Sequence, residues 1–501
     1  MGLVNRYIGR GGQRNMDWLS DPVALARIQF ALTALFHFIF VPTSIGVGLV
    51  TAVMATRSYR RDTPENVAAT RFWVRLYSVT FAIGVATGIT MEFQFGTNWA
   101  DYSRFVGDIF GAPLAAEALF AFFMESVFIG ILIFGKSRVS RRVYMLSAWL
   151  SWGGSCLSAL WIIIANSWMN TPAGYQITTD ENGTRATITD FFAAALNPST
   201  LPRYFHVVVA TLLMGALVCI AAGAYYLLHD RVRDMARGFV RVGVAMGAIA
   251  AVLMVPAAHQ QALTVAKTQP AKLAAMEGQF ESGPVDLSLL GWVDESGQAT
   301  TALSIPGGTS LLADLDASAE YPGLNDFAPS ERPDFVNAIF QSYHLMVALY
   351  GVILVLLALA WLVARGTLEA NRLVLRILAL GWLAPIAAIE LGWLVTELGR
   401  MPWIVYGELK VADAVSLAVP AAQVLATIGL FVIIYLLIFV LWVRNVRLVV
   451  THGPEGYLSA AQALADGEVP PAETAAQTAP SYFAAENADA QTSAHKGGVC
   501  A

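Results

Sequence analysis

Charged residues and cysteines are both scarce in this chain, and each scarcity excludes a class of protein. Only 13% of the 501 residues are charged, against 56% that are hydrophobic, which is not the composition of a soluble domain. The three cysteines, Cys156, Cys219 and Cys500, have no spacing that would suit a disulfide framework or a metal motif. The net charge of -5 gives no reason to expect a nucleic-acid partner.

Long apolar runs take the place of the missing charge. A run of about 20 apolar residues is long enough to cross roughly 30 Å of hydrocarbon as a helix, and nine such windows recur along the chain. They predict an all-α, polytopic membrane protein with about nine transmembrane helices. The windows lie near residues 26–56, 72–95, 113–134, 144–169, 204–229, 238–258, 336–364, 374–398 and 417–443.

Arginine and lysine in the short connections predict the orientation of these helices. The basic connections follow the first, third, fifth, seventh and ninth helices and are expected to be cytoplasmic. This arrangement places the N-terminal segment, residues 1–25, outside, although Arg6, Arg10 and Arg14 oppose it. The basic residues that carry the argument are Arg57, Arg60, Arg61, Arg71, Lys136, Arg138, Arg141, Arg142, Arg231, Arg233, Arg237, Arg241, Arg365, Arg372, Arg376, Arg444 and Arg447.

The remaining regions are defined by the same windows. Residues 26–258 hold helices one to six and residues 336–443 hold helices seven to nine. Between them, residues 259–335 form an external segment rich in Gly, Pro, Asp and Ser, and a loop of this length is either functional or disordered. Residues 444–501 are expected to form a cytoplasmic and largely disordered tail, because residues 465–501 lack periodicity and are rich in Ala, Pro, Gln and acids.

Two glutamates, Glu117 and Glu125, lie in the apolar stretch PLAAEALFAFFMESVFIGILIF without a cation in the same segment. A charged side chain near the bilayer centre costs several kcal/mol, so intramembrane acids usually face a cavity, a partner or a proton path. The pair could therefore carry protons, or it could form hydrogen bonds between helices. Their spacing places them about 12 Å apart along a helix axis.

Four further side chains fall in the outer half of the predicted bundle: His37, His206, Met346 and Glu390. Imidazole, thioether and carboxylate groups at one depth are suited to act as axial ligands of several haems. Each residue also has an ordinary interpretation, since a lone histidine is often a hydrogen-bonded bundle residue and a lone methionine usually fills a core. His344 would point about 200° away from Met346 on a helix, so the two cannot ligate one iron from the same face.

Four longer strings carry a specific family resemblance: RIQFALTALFHFIFVP, GVATGITMEFQFGTNWADYSRFVGDIFGAPLAAEALFAFFMES, LSALWIIIANSWMN and ELGRMPW. They closely resemble subunit I of the cytochrome bd-type quinol oxidases, over about residues 20–450. The external segment resembles the group with a short quinol-binding loop. The resemblance implies a haem-binding helix bundle in a bacterial cytoplasmic membrane, with a second large subunit and small accessory subunits as partners.

The activity implied by the resemblance is that of a terminal respiratory oxidase, a quinol:dioxygen oxidoreductase that generates proton motive force without pumping. The substrate would be menaquinol or ubiquinol, and the haems a low-spin haem b (b558), a high-spin haem b (b595) and a haem d, or haem b in its place. By matching strings, His206 and Met346 would ligate the low-spin haem, while His37 and Glu390 would ligate the two high-spin haems in either order.

The resemblance also implies roles for other polar residues. Glu117 and Glu125 would form the proton route to the high-spin haems, Lys272 and Glu277 the quinol site, and Arg400 a contact to a haem propionate. Lys272 and Glu277 would lie about 140° apart on a regular helix, so they are not expected to share one ligand face.

Two positions depart from the family pattern. Met401 replaces the usual Gln in the GRQPW motif, and His344 replaces an Arg that commonly precedes the ligand Met. Outside this family, a membrane transporter with structural carboxylates is the main alternative, although no internal repeat favours it. The histidine pairs of diheme cytochromes b and the histidine cluster of haem-copper oxidases are both missing from the predicted helices.

Overall fold

The computed structural model describes residues 17–181, 183–416 and 418–458. Nine of the helical spans in these residues are long and apolar enough to cross a membrane. The prediction of an all-α, polytopic membrane protein is thus confirmed. The spans are Pro22–Arg60, Pro64–Gly96, Ala100–Phe134, Arg141–Asn170, Thr200–Leu228, Arg233–Thr268, Val336–Ala364, Arg372–Leu398 and Ala421–His452.

Individual helices and strands are numbered along the chain. The helices are α1 (Pro22–Arg60), α2 (Pro64–Gly96), α3 (Ala100–Ala116), α4 (Phe123–Phe134), α5 (Arg141–Asn170), α6 (Phe191–Ala195), α7 (Thr200–Leu228), α8 (Arg233–Thr268), α9 (Pro270–Glu277), α10 (Gly308–Asp314), α11 (Val336–Ala364), α12 (Arg372–Leu380), α13 (Leu383–Leu398) and α14 (Ala421–His452). The strands are β1 (Tyr175–Asp180), β2 (Gly183–Ile188), β3 (Gly283–Pro284), β4 (Leu287–Asp294), β5 (Ala299–Ile305), β6 (Glu320–Tyr321), β7 (Trp403–Val405) and β8 (Leu409–Lys410).

Local sequence signals begin several of the long helices. The side chain of Asp21 accepts a hydrogen bond from the Val23 amide at the start of α1, and that of Thr63 accepts one from the Asn66 amide at the start of α2. Such caps satisfy amides that have no partner within the helix. A proline follows each cap, where its missing N–H is not needed.

The bundle has two ends. The arginine-rich end carries the connections that follow the first, third, fifth and seventh spans, and the loop end carries the segment between α8 and α11. Small residues let the spans approach closely between these ends. A Cβ added at Gly46 of α1 would lie 2.5 Å from the Gly215 amide nitrogen of α7, so backbone meets backbone there.

The segment between α8 and α11, which the sequence predicts to be external, is folded. Strands β4 and β5 form an antiparallel hairpin that packs on the first turns of α11, where Gln341 Nε2 donates to the Gly291 carbonyl at 2.7 Å. The Val293 amide donates to Asn337 Oδ1 at 3.0 Å beside it. A second antiparallel hairpin, β1–β2, lies at the same end, and its Ile188 amide donates to Asp108 Oδ2 at 2.8 Å.

Several helix limits differ from the apolar windows. The third span begins at Ala100 instead of residue 113, because α3 continues through charged residues that pair along its own surface, as Arg104 and Asp101 do at 2.8 Å. The sixth span continues to Thr268, into the predicted external loop. The ninth continues to His452, into the predicted tail, and the rest of that tail beyond residue 458 lies outside the described residues, as do residues 1–16 of the N-terminal segment.

Candidate functional site

A large and mostly apolar cavity of about 1520 Å³ lies inside the bundle. It is lined by residues of the first eight spans, so residues far apart in the sequence share one wall. Seven of the nine residues predicted for the site line it, and Glu390 and Glu277 do not. The seven are His37, Glu117, Glu125, His206, Lys272, Met346 and Arg400.

His37 is held in one orientation by a threonine of the neighbouring helix. Its Nδ1 lies 2.8 Å from Thr87 Oγ1, and the Thr87 hydroxyl itself donates to the carbonyls of Ile83 and Gly84. Nδ1 therefore carries the proton and donates, which leaves Nε2 as the nitrogen that can bind a metal. Gly88 leaves room for the ring, since an added Cβ would lie 3.2 Å from His37 Cε1.

His206 and Met346 reach the same cavity from α7 and α11. The His206 Nδ1 is buried and has no hydrogen-bond partner among the described residues. Met346 Sδ lies against α13 at Gly392, where an added Cβ would come within 2.9 Å of the sulfur. An imidazole and a thioether on different helices of one apolar cavity fit the ligand set of a six-coordinate haem.

Glu117 and Glu125 lie along the wall that the third span contributes. Glu117 begins a π-helical turn, Glu117–Phe122, between α3 and α4, a local geometry that is frequent at functional sites. Ser158 Oγ of α5 donates to Glu117 Oε1 at 2.6 Å. Glu125 is buried with only 6% of its surface exposed, and it lies nearer the arginine-rich end than Glu117 does.

Three buried cations, Arg203, Lys272 and Arg400, line the loop end of the cavity around one acid, Glu397. Lys272 Nζ donates to the Thr396 carbonyl at 2.9 Å. Burial, together with the charge of Arg203, holds the pKa of Lys272 well below its ordinary value.

Glu397 lies close enough for its charge to act on all three cations, and Arg400 is the one that bonds it directly. Arg400 Nη2 donates to Glu397 Oε2, Arg203 Nη1 donates to Asn166 Oδ1 at 2.8 Å, and Asn166 Nδ2 donates to Glu397 Oε1 at 3.0 Å. The Nε atoms of Arg203 and Arg400 are buried without a partner in the described part of the chain. Three cations against one carboxylate suit an anionic ligand such as a haem propionate.

Lys272 and Glu277 face different surroundings, as their angular separation on α9 predicts. Glu277 lies outside the cavity, with Oε2 at 3.6 Å from His344 Nε2 and Oε1 accepting from Thr309 Oγ1 at 3.3 Å. The His344 Nδ1 donates to the Phe340 carbonyl at 2.8 Å. His344 is therefore turned to Glu277, while Met401, the other departure from the family pattern, lines the cavity beside Arg400.

The two glutamates of the eighth span, Glu390 and Glu397, differ in position. Both oxygens of Glu390 are buried without a partner among the described residues, but Glu390 is not part of the cavity wall. Its neighbours Ile389 and Gly392 do line the cavity, and the ligand role of Glu390 stays a prediction. Glu397, which the sequence analysis did not single out, does line the cavity, and so do Glu92 and Trp393. Glu92 and Glu397 carry the same signal as Glu117, an acid inside an apolar span, whereas nothing in the sequence marks Thr87.

The fold and this cavity define a polytopic helical membrane protein with an internal, largely apolar site. A family model for subunit I of the cytochrome bd terminal oxidases matches residues 25–454. The chain belongs to the cytochrome bd terminal oxidase subunit I family. It is thus a subunit of a membrane-bound quinol oxidase from a family that binds haem, and the transporter alternative is set aside.

Similar proteins agree with this assignment. The cytochrome bd ubiquinol oxidase subunit 1 of Bacillus subtilis (strain 168) is 37% identical over 447 residues, which are 85% of this chain and 93% of that protein. The cytochrome bd-II ubiquinol oxidase subunit 1 of Escherichia coli (strain K12) is 41% identical over 316 residues, 62% of this chain and 61% of that protein. A solved bd oxidase chain from Geobacillus thermodenitrificans superposes with a TM-score of 0.79 at 28% identity, covering 87% of this chain and 99% of that one.

Proposed function

We propose that this chain oxidises a quinol near the loop end of the bundle and reduces dioxygen to water at a high-spin dihaem site. The observation that carries the proposal is the cavity of about 1520 Å³ whose apolar wall holds His37, His206 and Met346. Bound haem supplies electron transfer and dioxygen reduction. The chain's own residues hold the haems, bind the quinol and move protons.

His206 and Met346 are proposed as the two ligands of the low-spin haem b (b558), because they enter one cavity from different helices. His37 is proposed as the ligand of one of the two high-spin haems (b595 and d, or haem b in place of d), with Thr87 fixing its ring. His37 would be the single protein ligand of that haem, which would supply the binding and reduction of dioxygen.

A carboxylate of the eighth span is proposed as the ligand of the other high-spin haem. Sequence reasoning selects Glu390, but the position of Glu397 on the cavity wall favours Glu397. Its bonds from Arg400 and Asn166 would orient the carboxylate and keep it charged. The matched variants Glu390→Gln and Glu397→Gln separate the two. We expect Glu397→Gln to lose a high-spin haem signal and Glu390→Gln to retain all haems, and the reverse result would restore Glu390 as ligand.

The cluster of Arg203, Lys272 and Arg400 is proposed to hold the carboxylates of haem propionates at the loop end. Lys272 is also proposed to hold an oxygen of the quinol headgroup, and Glu277 to accept a proton from the quinol. Lys272 lines the cavity while Glu277 lies outside it, so the two would act on the quinol from different sides. The Bacillus subtilis and Escherichia coli proteins named above are each called a subunit 1 of a ubiquinol oxidase, and a further Bacillus subtilis relative is named a putative menaquinol oxidase subunit I.

Glu125 and Glu117 are proposed as successive proton carriers toward the dihaem site. Glu125 lies nearer the arginine-rich end, which we propose to be cytoplasmic, so the C-terminus would be cytoplasmic and the N-terminus outside. Taking up protons at this end and releasing quinol protons at the other would separate charge across the membrane without a pump. We further propose that a second large subunit, and small accessory subunits, complete the complex in the bacterial cytoplasmic membrane.

One preparation tests this function. The protein, purified in mild detergent with its partners, should give haem bands in a reduced-minus-oxidised spectrum and should consume dioxygen when a quinol is added. A preparation that folds and assembles but has no haem bands would refute the proposal. Bands without quinol-dependent dioxygen consumption would refute the activity and keep the haem sites.

A further inference from the structure

We propose that protons reach Glu125 through this chain, along a buried row of hydroxyl groups formed by Tyr77, Ser151 and Ser155. The inference rests on the proposed function, because only an enzyme that consumes protons at the cavity needs such a route. It adds the residues by which protons would enter from the arginine-rich end.

The serines of α5 form one face of that helix. Ser147, Ser151 and Ser155 follow one another at intervals of four residues, and Ser158 comes three residues later, so their side chains project on the same side. The first three are buried, with 1%, 0% and 5% of their surfaces exposed. The row leads from the arginine-rich end to the cavity wall, which Ser155 and Ser158 help to form.

Tyr77 of α2 joins this row from the side. Its hydroxyl oxygen lies 3.0 Å from Ser151 Oγ and 3.3 Å from Ser155 Oγ. In both contacts either oxygen could be the donor. A hydroxyl both donates and accepts, which is the property that a proton relay requires of each member.

Glu125 lies where the row of hydroxyl groups reaches the cavity wall. The Ser155 side chain, which also lies 3.4 Å from the Ser151 carbonyl oxygen, is placed beside the Glu125 carboxyl group. Gly154 permits this contact, because an added Cβ would lie 2.7 Å from Glu125 Cγ and would hold the two helices apart. Above this point the serine of the next helical turn, Ser158, is bonded to Glu117, so both glutamates meet the same face of α5.

Hydrogen bonds between helices could serve packing alone, but one more group beside the row favours transport. The indole Nε1 of Trp152 is buried and has no partner among the described residues. Gly48 packs against both the Tyr77 ring and Trp152 Cδ1, so this donor lies next to Tyr77. A water molecule bound at this place would accept from the Trp152 N–H and extend the row of hydroxyls.

The transfer along this row balances without any redox step. A proton arriving at Ser151 or Tyr77 bonds to the hydroxyl oxygen, and the proton that oxygen already held moves to the next one. Ser155 passes a proton to the Glu125 carboxylate in the same way. Each hydroxyl ends as it began, and the proton is finally consumed in the formation of water.

The test uses the complete purified complex with Tyr77→Phe, Ser151→Val and the double variant. Tyr77→Phe removes only a hydroxyl, and Ser151→Val replaces the hydroxyl with a side chain of the size of threonine, so that Ser151→Thr is its matched control. We expect proton uptake in a single turnover, followed with a pH-indicating dye, to slow by about tenfold or more in the double variant. Haem content and the rate of haem reduction by quinol should stay at the wild-type level.

Two controls separate transport from packing. Tyr226→Phe removes the hydroxyl of another fully buried tyrosine, which donates to the Val450 carbonyl at 2.9 Å, and should leave proton uptake unchanged. Ser151→Thr keeps the hydroxyl and should restore uptake relative to Ser151→Val. Equal slowing by Thr and Val would make Ser151 a packing residue and overturn the proposal.

A second outcome would also overturn it. If Glu125→Gln slows dioxygen reduction but the Tyr77→Phe, Ser151→Val double variant turns over as fast as wild type, protons enter elsewhere and the proposed function still stands. Failure of the proposed function has a different signature, since the wild-type complex would then lack haem or quinol-dependent dioxygen consumption.

Discussion

The two ends of the cavity have opposite electrostatic designs. At the loop end, Arg203, Lys272 and Arg400 surround Glu397. Arg400 donates to Glu397, and the other donors of the three cations reach backbone carbonyls or the amide oxygen of Asn166. Toward the arginine-rich end, Ser158 donates to Glu117 and Ser155 lies beside Glu125, so these acids meet serine hydroxyls instead of cations. One wall therefore stabilises negative charge, and the other keeps acids next to neutral groups.

This difference matches two tasks. An excess of fixed positive charge binds anions but holds protons poorly, because each added proton is repelled. Carboxyl groups among hydroxyls in an apolar span can be protonated and deprotonated without breaking an ion pair. The comparison predicts that variants at the loop end lose ligands or affinity, while variants at the other end lose proton transfer and retain every cofactor.

The largest expected effect is at a ligand between these ends. We expect His206→Ala to remove the low-spin haem signal from the reduced-minus-oxidised spectrum. Among the described residues of α7 that line the cavity, His206 is the one histidine, so no neighbouring imidazole of that helix can replace it as ligand. Carbon monoxide should still bind the high-spin site. His229→Ala, at the arginine-rich end of the same helix, is the matched control, and an unchanged spectrum in His206→Ala would exclude the ligand role.

The next effect tests the neutral wall. Glu125→Gln preserves the shape of the side chain but removes the group that takes up a proton, so dioxygen reduction should slow by about 10²-fold or more. The haems and their reduction by quinol should be retained, as measured by optical spectra during a single turnover. Turnover at the wild-type rate would count against Glu125 as a proton carrier.

A smaller effect is expected at the charged wall. Lys272→Ala and Glu277→Ala should each lose most quinol oxidase activity while all haems remain, measured as dioxygen consumption over a range of quinol concentrations. Because Lys272 lines the cavity and Glu277 does not, we expect Lys272→Ala to raise KM and Glu277→Ala mainly to lower kcat. Loss of haem in either variant would assign that residue a structural role.

The smallest effect concerns the residue that orients His37. Thr87→Val removes the acceptor of the Nδ1 proton without changing the size of the side chain, and losing such a partner typically weakens a metal site by about 10- to 100-fold. We expect weaker retention of one high-spin haem during dilution in detergent. Thr90→Val, on the same helix, removes a hydroxyl that donates to the Ala86 carbonyl and should retain its haems, and equal retention in both variants would contradict the role of Thr87.

Much of the fold followed from the sequence because a membrane imposes a simple rule. Any span must be apolar and long enough, so the nine helices could be counted without knowing how they pack. Their ends were less predictable. The third span carries Asp101, Arg104 and Asp108 in its first turns. Because these residues are charged, the apolar window begins only after them, although the helix already includes them.

The site was predictable only where a residue type is costly in an apolar span. Glu117, Glu125 and His37 were recognised for that reason, and the structure places all three on the cavity wall. Thr87 could not be recognised, because threonine is ordinary in such helices and its role depends on a ring from α1. Glu390 and Glu397 are both acids in one apolar span, so the sequence does not distinguish them. They differ in the direction in which each side chain leaves α13, and the Glu397 side chain is the one that lines the cavity.

The sequence by itself determined the class, the number of spans and the acids of the third span, because each follows from the cost of placing polar groups in hydrocarbon. The tertiary structure decided which of these acids meet hydroxyls and which meet cations. The contacts of Tyr77 with Ser151 and of Asn166 with Glu397 join residues from different spans. The contact of Arg400 with Glu397 joins the residues that follow the eighth span to the end of that span. Composition and periodicity of single helices do not encode such contacts, because they depend on how each helix is rotated against its neighbours.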